Sequence, residues 1–266
     1  MASHSSFAEL VNVMARLRAP DGCPWDREQT HQSLKPFLLE EAYEVLEAID
    51  EAEHGALCSE LGDVLLQVVF HAQVAVEAGH FTIDDVCQAI VDKLIRRHPH
   101  VFGNIEVDSS DEVAENWEAI KKRERQSETG PAPSALDGVP RQLPALLRAQ
   151  RVQDKARRAG FDWQQIDGPL DKVAEEFGEL REQWQQESPN ADRVAEEFGD
   201  LLFALVNVGR FLPVVPEDAL RLAVDKFDTR FRAMEKIVEE RGEQLRELDL
   251  QAMDAVWDEV KNSSEP

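Results

Sequence analysis

The sequence predicts an all-α protein made of two tandem repeats, each built on an antiparallel helical hairpin that carries carboxylates, with packing of the four-helix-bundle type. Three observations predict this. Apolar residues recur at steps of three and four, as in Leu38, Ala42, Val45 and Ile49 and again in Leu61, Leu65, Val68 and Val69, while runs of alternating β-branched residues are scarce. Breakers part the helices at Gly55, Gly79, the Pro99–Gly103 stretch, Gly168-Pro169, Pro189, Pro213 and Pro216. Finally, the two halves match each other in order, with offsets of 133 to 140 residues.

Along the chain, Glu40-Glu41-x-x-Glu44 matches Glu175-Glu176-x-x-Glu179. Glu60-Leu61-Gly62-Asp63 then matches Glu197-Phe198-Gly199-Asp200, and Val91-Asp92-Lys93-x-x-x-Arg97 matches Val224-Asp225-Lys226-x-x-x-Arg230. Last, Trp117-x-x-x-Lys121 matches Trp257-x-x-x-Lys261. The polar, Pro- and Gly-rich stretch 127–138 reads as a linker, which places the repeats at 1–126 and 139–266. Both copies thus keep a set of acids, then a basic pair, then Trp and Lys.

Composition narrows the function classes. Of 266 residues, 42% are hydrophobic, enough for a core. Asp and Glu number 53 against 29 Lys and Arg, a net charge of −24, which argues against nucleic acid and anionic membrane surfaces as partners. Small phosphorylated molecules survive, because a divalent cation can mediate between carboxylates and phosphate. The start MASHSSF lacks the pattern of a secretory signal, and the apolar runs Val64–Phe70 and Leu201–Val208 are too short to span a bilayer. Cys23, Cys58 and Cys87 are too few and too irregular for a disulfide framework or a CxxC metal site. A cytoplasmic protein with reduced thiols is expected.

The hairpins carry the chemistry. Residues three apart share a helix face, so Glu41 with Glu44 and Glu60 with Asp63 are paired teeth. With the turn near Glu51–Gly55, Glu44 is level with Glu60 and Glu41 with Asp63, and the four acids meet as a square. With the second turn near Ser188-Pro189-Asn190, Glu179 is likewise level with Glu197 and Glu176 with Asp200. Such a square repels itself unless it is protonated or holds a cation, and oxygen-only donors suit Mg²⁺ or Mn²⁺. Gly62 and Gly199, each costing about 1 kcal/mol inside a helix, predict close approach of another group.

The second repeat is the better phosphate binder. Lys172 and Arg193 stand one turn before Glu176 and Glu197, where the first repeat has Phe37 and Ala56. Lys226 and Arg230 add two cations, Trp257 a face for a base, and Lys261 a reach to phosphate or ribose. The first repeat keeps Lys93 and Arg97, with Lys35 as a further cation. Glu175 or Glu197 is placed to take a proton from water. The histidines read as structural. No GxxxxGK[ST] loop is present, which excludes a P-loop ATPase.

The two EExxE…ExGD hairpins, with Gly22-Cys23-Pro24-Trp25-Asp26 and Arg97-His98-Pro99-His100-Val101-Phe102, resemble the MazG family of nucleoside triphosphate pyrophosphohydrolases over essentially the whole chain. The resemblance implies an all-α homodimer that uses Mg²⁺ to hydrolyse nucleoside triphosphates to monophosphate and pyrophosphate, with broad base specificity. It makes Glu176, Glu179, Glu197 and Asp200 the metal ligands. Catalysis then falls to Glu175, Glu176 and Glu197, and substrate binding to Lys172, Arg193, Glu196, Asp200, Lys226, Arg230, Trp257 and Lys261. A homodimer also follows if the second apolar stripe of a hairpin is covered by another hairpin. The rival readings are a dUTP or phosphoribosyl-ATP pyrophosphohydrolase on the same hairpin, or a helical module that senses nucleotides without turnover.

Overall fold

The structure, a computed structural model, describes residues 6–105 and 134–263 together with residues 107, 109, 112, 113, 116, 117 and 120. Lys121 and the linker residues 127–133 lie outside the described residues. Among the described residues there are helices and no strands, so the fold is all-α. The chain divides into two compact units, Met1–Thr129 and Gly130–Pro266.

The first unit contains α1 (Ser6–Leu17), α2 (Pro24–Glu28), α3 (Lys35–Asp50), α4 (His54–Glu77), α5 (Ile83–Arg97) and α6 (Pro99–Phe102). Pro36 lies in the first turn of α3, where its missing N–H costs nothing. Thr82 starts α5 with a capping box: its hydroxyl accepts from the Asp85 N–H at 3.2 Å, and the Asp85 carboxylate accepts from the Thr82 N–H at 2.8 Å. The α3–α4 hairpin turns in three residues, with Ala52 in the left-handed region at φ 56°. Met14 of α1, Leu34, and Val69 and Phe70 of α4 form the core, each worth about 1.5–3 kcal/mol of burial.

The second unit contains α7 (Ala145–Arg158), α8 (Asp167–Trp184), α9 (Ala191–Gly209), α10 (Pro216–Glu240), a 3₁₀ turn (Leu245–Glu247) and α11 (Leu250–Ser263). Helices α8 and α9 form the hairpin, α7 packs on α9 and α10, and α11 packs on α10. The Asn190 side chain accepts from the N–H groups of Asp192 (2.9 Å) and Arg193 (3.2 Å), fixing the start of α9. Met234, Val238, Val256 and Val260 are the buried core between α10 and α11. At Gly209, the last residue of α9, a Cβ would come within 2.6 Å of the Pro216 ring, so glycine lets the start of α10 pack close.

Two expectations need correcting. Gly168-Pro169 does not separate helices; both residues lie in the first turn of α8, where Pro is tolerated. Nor does any group approach Gly62 or Gly199: a Cβ at either position would meet nothing within 4 Å. Each is one residue, about 100° of helical rotation, from the acid that faces the hairpin seam, so each looks into open space.

Candidate active site

In the second unit, carboxylate oxygens of Glu176, Glu179 and Glu197 all lie within 4.8 Å of one another. Glu176 and Glu197 are buried at 6% and 7% exposure, while Glu179 is exposed. The cause is the hairpin. Glu176 and Glu179 are one turn apart on α8, and Glu197 faces them from α9. Burial, then the neighbouring Glu179 carboxylate, pushes the Glu197 carboxyl above the usual range; Arg193 opposes the shift, and Glu196 and Asp200 add to it. Asp200, the fourth acid, thus acts electrostatically on Glu197 but is not one of the three converging ligands.

Two cations edge this cluster. Lys172 Nζ lies 2.6 Å from Glu176 Oε1 and 3.0 Å from Glu175 Oε1. These contacts hold the ammonium well above its ordinary value. Arg193 reaches Glu196 at 2.7 Å and Glu197 at 3.8 Å. Both pairs follow from i, i+3 and i, i+4 spacing. Lys226 and Arg230 share α10, one turn apart, and no described bond joins either to the carboxylates. Trp257 packs against the α10–α11 core, its ring 5.3 Å from that of Phe227, and Lys261 pairs with Asp258 at 2.9 Å.

The first unit repeats the acid cluster without those cations. Oxygens of Glu41, Glu60 and Asp63 lie within 4.8 Å of one another. Glu41 and Glu60 are pushed above the usual range by burial first and then by Glu44 and Asp63. Gln67, one turn beyond Asp63 and 5% exposed, works against that rise at Glu41 and leaves its own Oε1 buried without a partner. The second unit has Ala204 at the equivalent step after Asp200. Phe37 forms a T-shaped pair with Trp25, ring centroids 5.7 Å apart. Sequence spacing missed the His31–His71 pair, whose Nδ1 atoms are 2.8 Å apart although 40 residues separate them.

Both clusters are all-oxygen and partly desolvated, a donor set that fits a hard divalent cation and not a thiol- or imidazole-seeking one. Among the described residues, no helix is long and apolar enough to cross a membrane.

Comparison with known proteins gives a consistent picture. The family model described as the MazG nucleotide pyrophosphohydrolase domain matches residues 29–102. A Thermotoga maritima protein named nucleoside triphosphate pyrophosphohydrolase/pyrophosphatase MazG is 48% identical, over 97% of each chain. An Escherichia coli K12 nucleoside triphosphate pyrophosphohydrolase is 48% identical over 95% of each chain. A Mycolicibacterium smegmatis protein of the same name is 41% identical over 63% of this chain and 51% of its own.

Proposed function

Because the chain belongs to the MazG family and is a nucleoside triphosphate pyrophosphohydrolase, releasing monophosphate and pyrophosphate, we propose that the α8–α9 hairpin is where it works. The observation that carries this reading is the convergence of Glu176, Glu179 and Glu197 with Lys172 and Arg193 bonded to their edge.

Glu176, Glu179 and Glu197, with Asp200 beside them, would hold Mg²⁺, with Mn²⁺ a possible substitute. Bound there, the ion supplies charge neutralisation for the triphosphate and a lower pKa for a coordinated water. The chain does the rest. Lys172 and Arg193 exchange their carboxylate partners for phosphate oxygens, so charge is compensated without a search for new rotamers. Glu175 stands outside the three-acid cluster with an exposed side chain, and once Lys172 has turned from it to phosphate it can take the proton of the attacking water. Glu196 positions Arg193. Lys226, Arg230 and Lys261 contact phosphates or ribose, and Trp257 stacks on the base without selecting it, consistent with broad specificity. The exposed apolar residues Leu38, Leu39, Ile49, Leu61, Phe177 and Phe198 on the two hairpins support a homodimer.

The test is pyrophosphate release from a panel of nucleoside triphosphates by purified protein. Turnover of several bases with Mg²⁺ and none in excess EDTA is expected. Full turnover in EDTA overturns the metal reading, and turnover of dUTP or phosphoribosyl-ATP alone overturns broad specificity. A second reading has one observation in its favour: the family model falls on residues 29–102, so Glu41, Glu44, Glu60 and Asp63 would be the working set.

A further inference from the structure

The second unit holds a pocket that the reaction does not use. Gly209, on its wall, lies about 18 Å along α9 from Glu197, twelve residues at the helical rise. Its volume of about 490 Å³ suits a small molecule. Gln150, Asp154 and Arg157 line it from α7, Asp162 and Trp163 from the following loop, and Arg210 from the end of α9.

One wall is a fixed ionic lattice. The Arg210 side chain is 6% exposed, donates to both Asp162 oxygens at 2.8 Å and to Asn207 Oδ1 at 2.6 Å, and lies 3.7 Å from Asp154. Its charge is therefore spent on two acids. The Arg157 side chain, exposed at the rim, makes no hydrogen bond or ion pair among the described residues, and it brings the four ionised groups into balance. A ligand with one anionic group finds a free cation there. A triphosphate, with about four negative charges, finds one cation and two acids.

Another wall is Trp163. It is 40% exposed, and its ring lies so close over Gly168 that a Cβ there would come within 2.1 Å of Cδ1. The indole is thus pinned on the first turn of α8 while it borders the pocket. Aromatic walls take flat rings by stacking, and the neighbouring side-chain amides of Gln150 and Gln164 can donate to and accept from a heterocycle edge.

We propose that this pocket binds a nucleoside monophosphate, with the base against Trp163 and the phosphate on Arg157, and so senses the reaction's own product. The assignment of the product rests on the catalytic reading above. Gly168, under the indole, is one helical turn before Lys172, so an occupant that shifts Trp163 acts on the helix that carries Lys172, Glu175, Glu176 and Glu179.

The experiment titrates AMP into the full-length protein by calorimetry, and separately measures inhibition of ATP hydrolysis by AMP, for wild type, Arg157→Ala and Arg157→Lys. Wild type is expected to bind a second AMP that Arg157→Ala loses and Arg157→Lys keeps. AMP should lower kcat in wild type and Arg157→Lys. In Arg157→Ala, whose activity without AMP is unchanged, AMP should only raise KM. AMP binding and kcat suppression that are the same in wild type and Arg157→Ala overturn the pocket. A wild type that releases no pyrophosphate overturns the catalytic reading instead, and the calorimetry still reads the pocket.

Discussion

The two hairpins carry the same acids and differ in what stands one helical turn before them. In the second unit Lys172 and Arg193 are already paired with Glu176 and Glu197, at 2.6 and 3.8 Å. In the first, Phe37 packs on Trp25 and Ala56 offers nothing, and the acids are left with one another and with the Gln67 amide. Both units possess three converging carboxylates, a donor set suited to a cation. Triphosphate chemistry needs cations as well, on the side from which phosphate enters, and the first hairpin lacks them at those two positions.

The sharpest way to break this comparison is to remove one acid from each hairpin. Glu179→Ala, like Glu176→Ala or Asp200→Ala, is expected to abolish pyrophosphate release, and Glu44→Ala to leave most of it. The reverse result would give the reaction to the first unit. Next come the cations. A charge-assisted contact is worth about 1.5–3 kcal/mol, so Lys172→Ala or Arg193→Ala should each lower kcat/KM for ATP about 10- to 150-fold. Losses under threefold would show that neither touches phosphate. The double variant Phe37→Lys with Ala56→Arg, placed in a Glu179→Ala chain, sharpens the point, since any regained release comes from the first hairpin.

Oligomeric state gives a smaller but readable difference. Light scattering at micromolar concentration should return twice the 30.1 kDa of one chain. Leu39→Asp and Phe198→Asp each place a charge on one exposed hairpin face, and the variant that yields monomer identifies the pairing hairpin. A monomeric wild type would remove the dimer altogether.

The smallest effect concerns stability in the first unit. Hydrogen bonds from Arg18, with a lesser one from Gln73, hold the Glu77 carboxyl below its ordinary 4.5. Because the folded value is depressed, the contribution is fully present above 4.5 and disappears as pH falls through the folded value. Glu77→Gln should therefore lower Tm at pH 7, and the gap to wild type should close as pH falls below the depressed folded value. A gap that persists in acid would mean that packing, not charge, is lost.

What was legible in the sequence is what local geometry determines. The hairpins were readable because Glu41 lies as far before its turn as Asp63 lies after it, and Glu44 as far before as Glu60 after; the same holds for Glu176 with Asp200 and Glu179 with Glu197. The Lys172–Glu176 and Arg193–Glu197 pairs were readable because a helix brings i and i+4 together whatever surrounds it. Tertiary neighbours were not. Arg210 finds Asp162 across 48 residues, and His31 finds His71 across 40; no spacing rule reaches that far. Gly62 and Gly199 misled for the same reason, since a missing Cβ signals a neighbour only if the fold supplies one. Gly168 is the converse case: what sits over it is Trp163, five residues back in the preceding loop.

The way α2 is attached has a consequence for local opening. This five-residue helix contains no buried residue, and Trp25 is half exposed. It is tethered to the core by the Arg18 guanidinium, whose Nη1 donates to the carbonyls of Asp26 and Gln29 while its other nitrogens grip Glu77 and its Cζ lies over the Phe70 ring. Breaking two carbonyl contacts costs far less than unfolding the unit, so α2 can detach while α4, with Val69 and Phe70 buried, stays closed. Its amides are expected to exchange with solvent deuterium long before those of α4. Each such opening also separates the Trp25 ring from that of Phe37, which makes the first hairpin transiently more apolar than its resting surface.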